Sequence, residues 1–225
     1  MTVTFEWQYS AAATYLADSY FNVPVALQAG DVYVAVDIGN YTTTSDHGTA
    51  LTGLGVTWSR VTAAQTQVSE VWVGTGASNL SSGEEVRLTA PLMSTSSHRT
   101  LVVSCFRGIS ATAAVQVATG TSTTVTTASS SIGAGQAAIA FGFSDSSPNS
   151  LKSLVPGSGW ATISNINIHS STRFAGFSQR IPTSTDAHTA SASRVSGITM
   201  ATVVTLGDAG STLTSSFVGW GNPIR

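Results

Sequence analysis

Charge is what this sequence has least of. Only 9% of its 225 residues are Asp, Glu, Lys or Arg, lysine occurs once, at Lys152, and the formal net charge is −2. Binding to nucleic acid draws most of its affinity from Lys and Arg clusters that neutralise phosphates, and attraction to an anionic bilayer needs the same clusters. Neither a nucleic acid nor a membrane is therefore an expected partner. Cysteine is nearly missing as well. The lone thiol, Cys105 in the run Thr100-Leu-Val-Val-Ser-Cys-Phe106, excludes an intrachain disulfide and a cysteine-rich metal site, and it reads as a small buried apolar side chain. No stretch approaches eighteen consecutive apolar residues, so no transmembrane helix is expected. Met1-Thr-Val-Thr-Phe-Glu-Trp7 has neither the basic start nor the unbroken apolar run of a secretion signal, which implies a protein made in a cytoplasm that stays there or leaves by assembly or lysis.

Motifs that carry chemistry are also scarce. A P-loop needs Gly-Lys-Ser/Thr, but Lys152 follows Leu151. Gly133-Ala-Gly-Gln-Ala-Ala138 matches a relaxed dinucleotide fingerprint only in letters, because it opens a strand where that motif must open a helix. No Gly-x-Ser-x-Gly nucleophile elbow occurs. His47, His98, His169 and His188 lie far apart with no His-x-His or His-x-x-x-His pair; His47 beside Asp46 and His188 near Asp186 make a metal site assembled from loops conceivable, with surface polar residues the simpler reading. A glycosidase would need two carboxyls about 5–10 Å apart across a groove. Glu84 and Glu85 are neighbours on a strand and point to opposite faces, while Asp31, Asp37 and Glu70 could meet across strands but are more simply ionised groups on the wet face of a sheet. No catalytic residue, cofactor or metal is assigned, and an enzyme is not expected.

What the chain has in abundance is alternation. Hydrophobic residues make up 42%, and roughly three residues in ten are Ser or Thr, a combination too apolar for disorder. Asp31-Val-Tyr-Val-Ala-Val-Asp-Ile-Gly39 places Val32, Val34, Val36 and Ile38 on one face and Tyr33, Ala35 and Asp37 on the other, as in a half-buried strand. Gly53–Val61 and Ser69–Gly76 alternate on either side of a polar turn, with Trp58 and Trp72 one in each arm, and predict a hairpin whose rings enter the core. Further strands are expected over 84–89, 99–107, 136–143, 160–168, 172–179 and 197–206, with Arg99–Arg107 central because it leaves little wet surface. Ala11–Ala17 is the one stretch with helix propensity, enough for a single turn at most. Residues 118–131 suit a wet strand or a long loop equally, and 183–194 reads as a polar loop.

About ten strands with Gly/Ser/Asn/Pro turns and no amphipathic helix predict an all-β, antiparallel β-sandwich of the jelly-roll kind, in which two Greek keys absorb eight or more strands. One domain over 1–225 is expected, with an N-terminal arm over 1–10 and a C-terminal docking segment over 217–225. No internal repeat is visible; Ser59-Arg-Val-Thr and Ser193-Arg-Val-Ser are too short to count.

Four segments in succession, Ala29-Gly-Asp-Val-Tyr-Val-Ala-Val36, Gly55-Val-Thr-Trp-Ser-Arg-Val61, Val71-Trp-Val-Gly-Thr-Gly76 and Leu101-Val-Val-Ser-Cys-Phe-Arg-Gly108, resemble the β-sandwich domains of minor tail and capsid-decoration proteins of tailed bacteriophages, especially those of actinobacteria. The resemblance covers residues 29–108 and consists of strand starts, turns and core rings, so it transfers no functional residues. It implies a virion component that works as a homo-oligomer or at a symmetric site among other tail or capsid subunits. The aromatic ends of the chain, at Trp7, Phe217 and Trp220, are where inter-subunit contacts would then be sought. The rival from another class is a carbohydrate-binding module for host surface glycans, using aromatic side chains such as Trp58, Trp72, Trp160, Trp220 or Tyr41 with Asp and Asn from loops.

Overall fold

A computed structural model describes residues 2–14, 18–39, 48–61, 69–90, 98–120, 124–145, 151–155, 159–169, 173–183, 186–188, 191–194 and 198–207. Every regular element among them is a β-strand, and all the strand pairs are antiparallel. The protein is an all-β sandwich, as the alternation predicts.

The first half contributes β1 (Thr4–Thr14), β2 (Ser19–Val23), β3 (Val32–Gly39), β4 (Ala50–Gly53), β5 (Thr57–Arg60), β6 (Ser69–Thr75), β7 (Glu84–Thr89) and β8 (His98–Arg107). They form a five-stranded sheet in the order β1-β8-β3-β6-β5 and a three-stranded sheet in the order β2-β7-β4. The second half contributes β9 (Ala113–Gly120), β10 (Thr124–Thr126), β11 (Ser130–Ile132), β12 (Ala137–Asp145), β13 (Leu151–Val155), β14 (Ala161–His169), β15 (Arg173–Arg180), β16 (Asp186–His188), β17 (Ser191–Arg194) and β18 (Ile198–Leu206). Its sheets run β14-β15-β12-β18-β9 and β10-β17-β13, with β11 paired to β16. Reading β9 for β1, β18 for β8, β12 for β3, β15 for β6 and β14 for β5 converts one five-stranded order into the other, and β10-β17-β13 likewise matches β2-β7-β4. The two halves are topological copies.

A shared turn fixes the correspondence. Before β3, the Asp31 amide donates to the Gln28 carbonyl while the Gln28 amide donates to Asp31 Oδ2; before β12, the Gln136 amide donates to the Gly133 carbonyl while the Gly133 amide donates to Gln136 Oε1. Both turns carry Ala-Gly at their middle, and Gly30 and Gly135 share positive φ values of 84° and 81°, a conformation that favours glycine. Gln28-Ala-Gly-Asp31 and Gly133-Ala-Gly-Gln136 are thus equivalent, and the repeat that sequence inspection misses is present in the fold. Ser59-Arg60 and Ser193-Arg194 fall on non-equivalent strands, β5 and β17.

The halves meet through the inner faces of their five-stranded sheets. Val32, Val34, Val36, Ile38, Val71, Val73, Val102 and Phe106 of the first pack with Ala137, Ile139, Phe141, Ala175, Phe177, Val204 and Leu206 of the second in one apolar layer. Phe141 and Phe177 stack with ring centroids 5.7 Å apart. Within β1 the register slips between Phe5 and Trp7, which moves the odd-numbered residues to the other face: Val3 and Phe5 join the shared core, while Trp7 and Tyr9 join the outer one. Gln8 is thereby turned inward, where its Nε2 donates to Ser104 Oγ at 2.9 Å and its Oε1 accepts from Ser164 Oγ of β14. The outer face of the first five-stranded sheet packs on β2-β7-β4 through Tyr33, Ala35, Trp72, Leu101, Val103 and Cys105 against Val23, Leu51, Val86 and Leu88.

Several expectations change. There are eighteen strands among the described residues where about ten are expected. β1 continues through Ala11–Thr14, so tertiary pairing with β8 overrides the helix propensity of the alanines. β3 is buried on both faces because it is the middle strand between two packed layers. The ambiguous 118–131 holds the end of β9, all of β10 and the start of β11, and 183–194 holds β16 and β17. The two modules are built around one core. The docking segment 217–225 lies outside the described residues.

Candidate functional site

The first module concentrates its polar chemistry on the outer face of its five-stranded sheet, at the end where β3 finishes and β6 and β8 begin. Asp37 of β3 stands directly opposite Glu70 of β6, and Gly39, two residues on, is opposite Arg99 of β8. Asp37, Glu70 and Arg99 are all fully buried. Arg99 Nε lies 3.6 Å from Asp37 Oδ1, and Arg60 of β5 places Nη1 3.2 Å from Glu70 Oε1. Arg60 is itself held over the Trp72 ring, 4.6 Å from its centroid, and donates from Nη2 to the Gly48 carbonyl. Burial, reinforced by the neighbouring Asp37 carboxylate, pushes the Glu70 pKa up from 4.5 to about 7 in spite of Arg60. The wet-face reading of Asp31, Asp37 and Glu70 is therefore overturned: all three are buried, and the outer sheet packs on this face of the five-stranded sheet. Two carboxyls side by side on neighbouring strands would be an acid–base pair in an open cleft; here two guanidinium groups neutralise them inside the sandwich.

A row of rings crosses the opposite half of the same face. Trp7, Cys105, Tyr33, Gly74 and Trp58 occupy one rung across β1, β8, β3, β6 and β5. Ring centroids are 5.7 Å apart for Trp7–Tyr33 and 6.2 Å for Tyr33–Trp58, with Tyr9 a further 5.3 Å from Trp7. Gly74 makes the row continuous: a Cβ there would come within 2.9 Å of Trp58 Cζ3, so the indole lies on bare backbone. Trp58 Nε1 donates to the Gly53 carbonyl at 3.2 Å. Burial raises the pKa values of both the Tyr33 hydroxyl and the Cys105 thiol, which keeps the thiol protonated and unreactive. Next to them the buried Asp31 receives Arg107 through Nε at 2.8 Å and Nη2 at 3.3 Å, while Arg107 Nη1 reaches Glu6 at 3.1 Å. This fork ties the start of β3, the end of β8 and β1 together.

The outer sheet presents a different surface. Tyr20, 54% exposed, is the only large hydrophobic side chain among the described residues in that state. Arg87 sits over its ring at 4.6 Å, held in turn by Glu85 Oε1 at 3.0 Å and Asp18 Oδ2 at 3.2 Å. Asn22, Thr52 and Thr89 are exposed on the same sheet.

Of the residues singled out in the sequence, Trp72 is buried as expected, Trp58 and Trp7 are half-buried within the ring row, and Trp160 packs against the outer core of the second module. Cys105 is buried and free. Trp7 is engaged with Tyr9 and Tyr33 of its own chain; Phe217, Trp220, Tyr41 and His47 lie outside the described residues. Asp186 and His188 belong to β16 and are not loop residues. Among the described residues no three His, Cys, Asp or Glu side chains group as a metal site, and no helix is long and apolar enough to cross a membrane. Sequence inspection misses Arg60, Arg99, Tyr20 and Arg87; the one signal available, opposite charges on adjacent predicted strands, becomes informative only with the register. No protein-family model, curated protein or solved structure matches this chain.

Proposed function

We propose that this chain is a non-enzymatic structural protein of a tailed-bacteriophage virion, a minor tail or capsid-decoration protein that works by protein–protein assembly on the particle. The observation that carries the reading is where the reactive groups go: Asp37, Glu70 and Arg99 are fully buried and ion-paired, and Trp7 and Trp58 pack on either side of Tyr33. These side chains, which in an open cleft could do chemistry or grip a small molecule, hold the sandwich together, which suits a particle protein that must persist outside a cell without disulfides. Pairing of the first strand with the last in each module supports a jelly-roll reading of both, and the phage-like segments span most of the first module. Mass spectrometry of purified particles released on lysis of the producing cells tests this. The chain is expected as a stoichiometric component, placed on tail or head by labelling with a specific antibody; its absence from intact particles would sink the reading.

A second reading, a module that binds host surface glycans, is favoured by Tyr20. An exposed ring flanked by Asn22, Thr52 and the Arg87–Glu85–Asp18 network has the aromatic-plus-planar-polar make-up that stacks on a sugar and hydrogen-bonds its hydroxyls. Saturable binding on a glycan array, lost in Tyr20→Ala with unchanged melting, would favour it; no binding by the folded protein would remove it.

A further inference from the structure

Sheet edges normally carry guards against pairing with another chain: short length, charge, proline or a bulge. The sheet edges among the described residues carry them with one exception. β5 and β4 span four residues each and β10 three. β1 contains Glu6 and the slip at Phe5/Trp7, and is tied to β14 through Gln8 and Ser164. β14 has two register shifts, β13 has one together with Lys152, and β2 is bracketed by Asp18 and Pro24. β9 has none of these. Ala113-Ala-Val-Gln-Val-Ala-Thr-Gly120 is eight residues long, uncharged and free of proline, and pairs residue for residue with β18 without a shift. Among the described residues its other side pairs with no strand.

The register also says which groups face that open side. The Gly207 amide donates to the Thr112 carbonyl, so Thr112 and every second residue after it turn their backbone polar groups toward β18. Ala113, Val115, Val117 and Thr119 therefore turn their amides and carbonyls outward.

We infer that the free edge of β9 is an assembly interface that takes the β9 edge of a second copy of this chain, antiparallel across a two-fold axis, joining two five-stranded sheets into one. A second copy is the occupant that the edge itself specifies. A two-fold axis reverses strand direction, so an unbulged strand opposes itself in antiparallel register, and an edge without charge meets its own image without repulsion. The inference is independent of the virion reading, since it requires only the side of β9 that no described strand pairs with.

Two measurements on the full chain test it. Light scattering during size-exclusion chromatography is expected to give twice the 23.0 kDa chain mass at tens of micromolar. Val117→Pro removes an outward amide while leaving the β18 ladder intact, and is expected to weaken dimerisation roughly tenfold or more with the melting of the subunit preserved. Hydrogen exchange on the unmodified protein covers the case in which that variant does not fold: the Val115, Val117 and Thr119 amides are expected to lose protection on dilution, while those of Ala114 and Gln116 keep theirs. A monomer at every concentration, or a dimer whose mass and β9 protection ignore both Val117→Pro and dilution, would overturn the interface.

Discussion

The two modules share a strand order, a turn and an inner face, yet their outer faces have little in common. With Gly30 and Gly135 as the anchor, Val32, Val34 and Val36 correspond to Ala137, Ile139 and Phe141, all buried in the shared core. On the outer side, the buried pair Asp37–Glu70 of the first module corresponds to the paired glycines Gly142–Gly176 of the second, and Tyr33 corresponds to Ala138. The outer core of the first module holds Tyr33, Trp72, Leu88, Leu101 and Val103, whereas that of the second is built on Ile132, Ala138, Ala140 and Val203 with Trp160 beside them. The comparison separates two kinds of constraint. The inner faces must fit each other, so both remain apolar; each outer face answers only to its own small sheet, and the first module has filled its own with rings and ion pairs.

If the core is truly common property, damage to either half must unfold both. Phe141→Ala is expected to cost about 3–5 kcal/mol, as large aromatic truncations in a packed core do, and to lower a single transition seen alike by tryptophan fluorescence and circular dichroism. Two separated transitions in urea would break the picture of one cooperative core. Removing Arg99 asks the complementary question of the outer face. Arg99→Ala removes the guanidinium beside Asp37 while that carboxyl stays buried next to Glu70, and is expected to cost about 3–5 kcal/mol; a loss under about 1 kcal/mol would mean that water reaches the cluster.

The Glu70 carboxyl gives a pH signature that the second module, with Gly176 in the corresponding place, cannot have. Its folded pKa near 7 lies above the unfolded value of 4.5, so its contribution is fully present below about pH 4.5 and is lost as pH rises through about 7. Stability from this group is expected to fall on the order of 1–3 kcal/mol between those limits, and urea midpoints of Glu70→Gln should lose that slope. Truncating Trp58 should matter less than truncating Trp72, about 2 kcal/mol against about 3–5, since Trp58 is half-buried and Trp72 nearly wholly so. The smallest effect is expected at the outer surface, where Arg87→Ala breaks an exposed network and should move stability by under about 1 kcal/mol.

Much of this was legible in the residues. The period-two pattern at Val32, Val34, Val36 and Ile38 marks β3, Val86 and Leu88 mark the inward face of β7, and the arms around Trp58 and Trp72 mark β5 and β6, because a residue's face on a strand is a local property. The burial of Asp37 was not legible, since it depends on Glu70 and Arg99 arriving from strands distant in sequence. Nor was the duplication, because equivalent positions need only equivalent volumes and turns, and Val36 can become Phe141 with no trace in the letters.

By itself, then, the sequence determined a weakly charged, disulfide-free chain of antiparallel strands, through alternation and turn residues that act over a few positions. Tertiary structure decided that the strands form two modules of one topology back to back, that Asp31, Asp37, Glu70 and Arg99 are buried, and that among the described residues β9 is paired on one side only. Those outcomes turn on which strands become neighbours, a matter of long-range pairing and shared burial that no local pattern encodes.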